Sequence, residues 1–148
     1  MQISPYLTFD GTCEEAFRLY ADLMGGEVLS IKYYPEGDGA LRLPDGRMPV
    51  LAARLRLGDD TVIGTDDISP WTHNPMAGVR LQAQINDPIE AKRIFGKLCD
   101  GGQVEMSFEP TYWAAGFGIC RDRFGVCWMV NCARESDDRA DELRAVNY

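Results

Sequence analysis

The sequence predicts an α+β domain made of two tandem βαβββ units, and three observations predict it. A helical segment recurs: in 15–24 and 90–99 Glu, Ala, Arg and Leu stand at identical places, with Leu/Ile, Tyr/Phe and Met/Cys as similar pairs. The match runs on into Gly25-Gly26-Glu27-Val28 and Gly101-Gly102-Gln103-Val104, after one inserted residue, Asp100. Each copy also has one strand pattern before it and three after it. Internal repeats of this kind decide the architecture before any single element does.

The first helix opens on Thr12-Cys13-Glu14-Glu15, a capping-box pattern in which a hydroxyl and a glutamate serve each other's amides. The second opens on Asp87-Pro88-Ile89-Glu90, with proline at the first helical position. Cys13, Ala16, Phe17, Tyr20, Leu23 and Met24 fall at helical spacing, and Ala91, Ile94, Phe95, Leu98 and Cys99 repeat that stripe. Gly25-Gly26 and Gly101-Gly102 supply left-handed stops. Strands are expected over residues 3–9, 27–34, 50–57 and 61–66, then 79–86, 103–109, 113–121 and 126–132. Residues 79–85 alternate completely, with Arg80, Gln82 and Gln84 on one side. Gly58-Asp59-Asp60 and Asp122-Arg123-Phe124-Gly125 read as hairpin turns. The segments 35–49 and 69–78 read as loops. The repeats therefore cover about 1–67 and 79–133 of a single 1–148 domain, and the polar tail is expected to be a frayed helix or disordered.

A chain of 148 residues suits one domain with one core. Its net charge of −8 argues against nucleic-acid and anionic-membrane partners, whose phosphates need lysine and arginine stripes. No stretch reaches the ~20 apolar residues of a membrane span, and the N-terminus carries no signal-peptide pattern. Five cysteines without a Cys-x-x-Cys pair read as reduced, mostly buried thiols of a cytoplasmic protein.

Two tandem βαβββ units resemble the vicinal-oxygen-chelate superfamily of glyoxalase I, fosfomycin-resistance and bleomycin-resistance proteins and the extradiol (dihydroxybiphenyl) dioxygenase fold. The residues resemble its bacterial PhnB-like branch. Residues 5–17, from Pro5-Tyr6-Leu7-Thr8-Phe9-Asp10-Gly11 onward, carry the likeness at the start. Pro110-Thr111-Tyr112-Trp113-Ala114-Ala115-Gly116-Phe117-Gly118 and residues 122–131 carry it at the end. The resemblance implies a curved, eight-stranded mixed sheet around a cleft, helices on the convex face, and a homodimer. Members are often labelled demethylubiquinone methyltransferases. That chemistry is not expected here: no Gly-x-Gly-type loop is expected to exist after a strand to hold a methyl donor, and the fold is not doubly wound.

Strand parity then sorts the faces. Ile3, Leu7 and Phe9 are expected on the helix side, leaving Tyr6 and Thr8 toward the cleft. Leu51, Ala53, Leu55 and Leu57 form one face of the third strand, and Ala52, Arg54 and Arg56 the other. Arg80, Gln82 and Gln84 face the cleft. In the last strand Val126, Trp128 and Val130 suit the core, while Cys127, Met129 and Asn131 point inward. The candidate ligand-binding residues are Tyr6, Thr8, Arg54, Gln82, Trp113 and Met129.

Metal-using relatives place ligands on the first strand, the fourth or fifth, and the eighth. Those positions here offer Tyr6 or Thr8, Ala52 or Arg54, Arg80 or Gln82, and Met129. None is a carboxylate or imidazole, and arginine repels a cation, so no metal and no cofactor is expected. Arg54, with Arg80 beside it as a candidate, suits a carboxylate or phosphonate; the competing reading pairs the arginines, Arg56 above all, with surface acids. Trp113, Phe117 and Tyr6 read as walls of a ligand site or, for Phe117 especially, as core or dimer seam. Cys127 reads as a nucleophile or a small buried thiol. His73 reads as a general base on a loop or a solvated side chain, and Trp71 as a lid anchor or a sheet-edge cap. Asp66-Asp67 point to opposite faces, which argues against a shared catalytic role. Three functions remain open: metal-free binding of a small anionic or carbonyl-bearing molecule, an isomerase-, lyase- or transferase-type enzyme working through a metal or through Cys127 or His73, and a dimeric interaction protein with a vestigial cleft.

Overall fold

The computed structural model describes residues 1–67 and 74–134. The expectations for Trp71, His73 and the tail lie outside the described residues. The chain divides into two compact units, Met1–Met76 and Ala77–Tyr148. The first holds β1 (Tyr6–Phe9), α1 (Cys13–Met24), β2 (Glu27–Tyr33), β3 (Val50–Leu57) and β4 (Asp60–Asp66). The second holds β5 (Leu81–Gln84), α2 (Pro88–Cys99), β6 (Gln103–Glu109), β7 (Ala114–Arg121) and β8 (Cys127–Ala133). The eight strands form two four-stranded mixed sheets in the same order, β1-β4-β3-β2 and β5-β8-β7-β6. In both, the strand before the helix runs parallel to the last strand and the other pairs are antiparallel.

Each helix lies on one face of its own sheet. Cys13, Ala16, Phe17, Tyr20 and Leu23 of α1 are buried, and Phe17 meets Phe9 edge-on at 5.8 Å. Ala91, Ile94, Phe95 and Leu98 of α2 are buried likewise, with Phe95 against Phe108 at 5.6 Å. At about 25 cal/mol per Å² of apolar surface removed from water, these stripes supply the main attraction of helix to sheet. Glycine lets the layers close. A Cβ on Gly64 would stand 2.6 Å from the Phe17 ring and 2.9 Å from Cys13 Sγ.

The helix stops are as expected, with Gly25 at φ 66° and Gly101 at φ 73°. The starts differ. Asp87 caps α2, its carboxylate accepting from the Ile89 N–H at 3.0 Å. Thr12 makes no side-chain cap for α1. Asp66, at the end of β4 and only 2% exposed, takes that place: Oδ1 accepts from the Cys13 N–H at 2.9 Å and Oδ2 from the Val50 N–H at 2.8 Å. A rigid carboxylate on the neighbouring strand out-competes a local hydroxyl for the helix end, where the backbone dipole favours negative charge.

In β3 the expected parity of Val50 and Leu51 fails. Lys32 pairs with Ala52 and Tyr33 with Val50, so β3 carries an extra residue at Leu51. The bulge turns Leu51 outward (41% exposed) and puts Val50 in the core. Ile3, expected on the helix side, is exposed because β1 begins only at Tyr6, just after Pro5, which has no N–H to join a ladder.

Candidate functional site

The face of each sheet opposite its helix is where side chains remain available. In the first unit one row runs across it, Tyr6–Ile63–Arg54–Ser30, each residue registered with the next. Tyr6 is 58% exposed and Arg54 is exposed, with the half-buried Ile63 between them. Two strand spacings, about 10 Å, separate Tyr6 from Arg54. Thr8 and Thr65, also registered partners and both half-buried, form the neighbouring row.

Arg54 differs from the other arginines. Arg56 pairs with Glu27 at 3.2 Å, Arg80 with Glu105 at 3.4 Å and Arg18 with Glu14 at 2.9 Å. Arg42, Arg47 and Arg93 also sit in ion pairs. Arg121 donates to the Gly125 carbonyl, and Arg123 lies 4.5 Å over the Phe124 ring. Arg134 donates to the Ala114 and Thr111 carbonyls. Among the described arginines only Arg54 has no hydrogen bond, ion pair or ring contact; its cross-strand neighbours, Ser30 and Ile63, carry no charge. Pairing with acids thus accounts for Arg56 and Arg80 and leaves Arg54 free.

The open face of the second unit has the same layout and different chemistry. Its rows are Gln82–Met129–Ile119–Met106 and Gln84–Asn131–Phe117–Glu109. Gln82 is exposed, and Met129 and Trp113 are half-buried. Phe117 is buried on this face and meets Trp113 in a T-shaped contact at 5.5 Å. Val126, Trp128 and Val130 are buried as expected, but Cys127 is buried too, at 6% exposed. Asn131 donates from Nδ2 to Gln84 Oε1 at 2.8 Å, and its own Oδ1 is shut off from solvent and accepts nothing from the described residues. Parity pointed to Gln84 and Asn131 individually; their pairing depends on the β5–β8 register, which no local pattern shows.

The donor set does not fit a divalent ion. Tyr6, Thr8, Ala52 and Arg54 in one unit and Gln82 and Met129 in the other offer no carboxylate or imidazole. No group of three or more His, Cys, Asp or Glu among the described residues has the arrangement to hold a metal.

Ionisable groups away from the open faces are tuned by structure. Burial raises the Asp66 carboxyl above its ordinary range despite its two amide donors. Burial, with Asp66 and Glu14 adding to it, pushes the Cys13 thiol up to about 12. Burial also raises Cys120 and Cys99. The Tyr33 hydroxyl, donating to Glu14 Oε1 at 2.5 Å, holds Glu14 below its usual value, with Arg18 adding to it. Thiols held protonated in this way are poor nucleophiles. Among the described residues, no helix is long and apolar enough to cross a membrane.

A family model described as 3-demethylubiquinone-9 3-methyltransferase matches residues 1–131. Protein YjdN of Escherichia coli (strain K12) is 32% identical over 144 residues, covering 91% of this chain and 97% of its own. The crystal structure of protein PA1353 from Pseudomonas aeruginosa is 36% identical with a TM-score of 0.79, over 91% of this chain and 99% of that one. The PhnB protein of Bacillus cereus is 26% identical with a TM-score of 0.76, over 90% and 100%. A glyoxylase/bleomycin resistance protein/dioxygenase domain from Frankia, 12% identical over 90% and 98% with a TM-score of 0.59, shares the fold. By its sequence match over residues 1–131, the chain belongs to the family described as 3-demethylubiquinone-9 3-methyltransferase, is similar to the PhnB protein, and has the fold of the glyoxylase/bleomycin resistance protein/dioxygenase domain.

Proposed function

We propose that the chain is a metal-free small-molecule-binding protein of the glyoxalase/bleomycin-resistance type, and that its ligand carries a carboxylate, phosphonate or polarised carbonyl group held by Arg54. The observation that carries this reading is the free guanidinium in the middle of an uncharged row. An arginine spends a planar fork of five donors. Eight of the ten described arginines meet an oxygen acceptor and a ninth lies over a ring, which leaves Arg54 available to an incoming anion. Tyr6, about 10 Å away across Ile63, supplies a phenol and an apolar ring for the rest of such a molecule. Gln82, Met129 and Trp113 belong to the second unit's open face and serve the same role there.

Methyl transfer is a weaker reading. The Gly-x-Gly loop that follows a strand, Gly37-Asp38-Gly39, corrects the expectation that none exists, but it leads on to β3 and not into a helix whose N-terminus would face a cofactor.

The test is a screen of small carboxylates and phosphonates by NMR, following the Arg54 Nε–H signal, with Arg54→Ala as control. A charge-assisted hydrogen bond is worth about 1.5–3 kcal/mol, so the substitution should weaken binding roughly 10- to 150-fold. Absence of any binding anion, or equal binding by the variant, removes the proposal.

A further inference from the structure

We propose that the second unit holds a separate subsite for a neutral amide or lactam, centred on Asn131. The inference rests on the open faces being ligand surfaces, as above, but uses a different unit and different chemistry.

A carboxamide presents one donor edge and one acceptor edge side by side. Asn131 uses only the donor, giving Nδ2–H to Gln84 Oε1 at 2.8 Å. Its Oδ1 lies buried without a donor among the described residues. A buried acceptor left unmade carries a penalty, and few such groups occur in a folded protein without a reason. Exchanging the O and N assignments of both amides still leaves Asn131 with one edge used and one idle. Gln84 is exposed and is held in this contact by one bond, whereas Asn131 is fixed within β8 between Gln84 and Phe117. Gln84 therefore acts as a placeholder that satisfies half of the asparagine.

A cis amide, as in a lactam ring, satisfies both halves: its C=O accepts from Nδ2 and its N–H donates to Oδ1. Every position of the two central rows apart from Glu109 is uncharged. Phe117 stands next to Asn131 in the row and Trp113 packs against Phe117 at 5.5 Å, so a flat ring meets aromatic surface there. A carboxylate offers no donor to Oδ1 and is not expected at this place. The class of ligand is thus a neutral, planar molecule with adjacent C=O and N–H groups.

The probe is 2-pyridone, titrated into the full chain while the side-chain amide signals of Asn131 and Gln84 are followed by NMR. N-methyl-2-pyridone, with the same ring and carbonyl but no N–H, is the control. Expected are saturable shifts of the Asn131 NH₂ with 2-pyridone and at least tenfold weaker binding of the N-methyl compound. Gln84→Ala, a change at an exposed side chain, should tighten 2-pyridone about fivefold by removing a neutral hydrogen bond that the probe must otherwise displace. Equal affinity of the two probes, no shift at Asn131, or weaker binding in Q84A overturns the subsite. Methylphosphonate is titrated in parallel. Shifts at Arg54 with none at Asn131 would sink this inference and leave the anion reading standing, and the converse result would do the opposite.

Discussion

Removing the Asp66 carboxylate should be among the most damaging single changes in the first unit. Its two oxygens satisfy two buried amides from different elements, Cys13 at the start of α1 and Val50 at the start of β3. Asp66→Ala leaves both donors unmade. Each orphaned buried donor costs about 1–3 kcal/mol, and the helix loses a negative charge at its N-terminus, worth about 0.3–1 kcal/mol. Part of this is offset, because burial already disfavours the ionised carboxyl. A net loss of about 2–4 kcal/mol follows, a large share of the roughly 5–15 kcal/mol that holds a typical domain together. Asp66→Asn keeps one acceptor but turns an NH₂ toward the other amide, and should lose about 1–3 kcal/mol. Urea unfolding at unchanged m-value is the assay, with hydrogen exchange at the Cys13 amide as the local readout. The pH dependence has a definite sign. The folded pKa of Asp66 is raised above its ordinary 3.8, so its contribution is greatest below 3.8 and declines as pH rises through the folded value. The gap between wild type and D66N should therefore widen as pH falls toward 3.8. A loss below about 0.5 kcal/mol in D66A, or Cys13 exchange unchanged, would refute the capping role.

Gly64→Ala pushes a methyl into the Phe17 ring and the Cys13 sulfur, so thermal unfolding should report a loss of roughly 1–3 kcal/mol. Tyr33→Phe removes the donor that holds Glu14 low; an NMR titration should show the Glu14 carboxyl moving up toward 4.5, with stability reduced by less than about 1 kcal/mol because the pair is solvent-exposed. Since Glu14 is depressed in the folded protein, that small contribution is present above 4.5 and fades as pH drops through the folded value. Iodoacetamide at pH 8 should label the half-exposed Cys99 before the buried Cys13 and Cys120, read by peptide mass mapping; early labelling of Cys13 would contradict a thiol whose pKa is raised to about 12. Micromolar zinc, nickel or manganese should stabilise the purified protein by less than ~1 kcal/mol in a thermal shift, and stoichiometric metal on elemental analysis would show that the ligand positions were misassigned.

Helices, stops and the succession of elements along the chain were legible because each has a local cause. Helical spacing marks the apolar stripe, Asp87 caps the amide two residues on, and Gly25 and Gly101 take the left-handed backbone that ends a helix. What escaped the sequence is held by distant partners. Asp66 and Cys13 lie 53 residues apart, so the Thr12 pattern looked sufficient until a better acceptor arrived from β4. The bulge at Leu51 has no signature in an alternating run, and it reverses which of Val50 and Leu51 is buried. Parity put Arg54 on the open face but could not show that it is unpaired. Its freedom depends on what the neighbouring strands place beside it: Glu27 for Arg56, but Ser30 for Arg54.

The two units show why the open faces carry the distinctive chemistry. The face under each helix must repeat, because both units bury a similar stripe and close the layers in the same way. Gly26 lies against the Arg56 carbonyl as Gly102 lies against that of Arg121, at distances that admit no side chain. Even the tie from last strand to helix entry has a counterpart, Asp66 to Cys13 in one unit and the Cys132 thiol to the Asn86 carbonyl in the other. The opposite face is under no such packing demand. There Tyr6, Ile63 and Arg54 stand where the second unit has Gln82, Met129 and Ile119. A charge appears on the third strand of one copy and an idle amide edge on the last strand of the other, both on the open face of one repeated scaffold. Folding requires neither, and each leaves a strong hydrogen-bonding group without a described protein partner. Hydrogen-bonding groups that folding does not use are the ones a ligand is expected to complete.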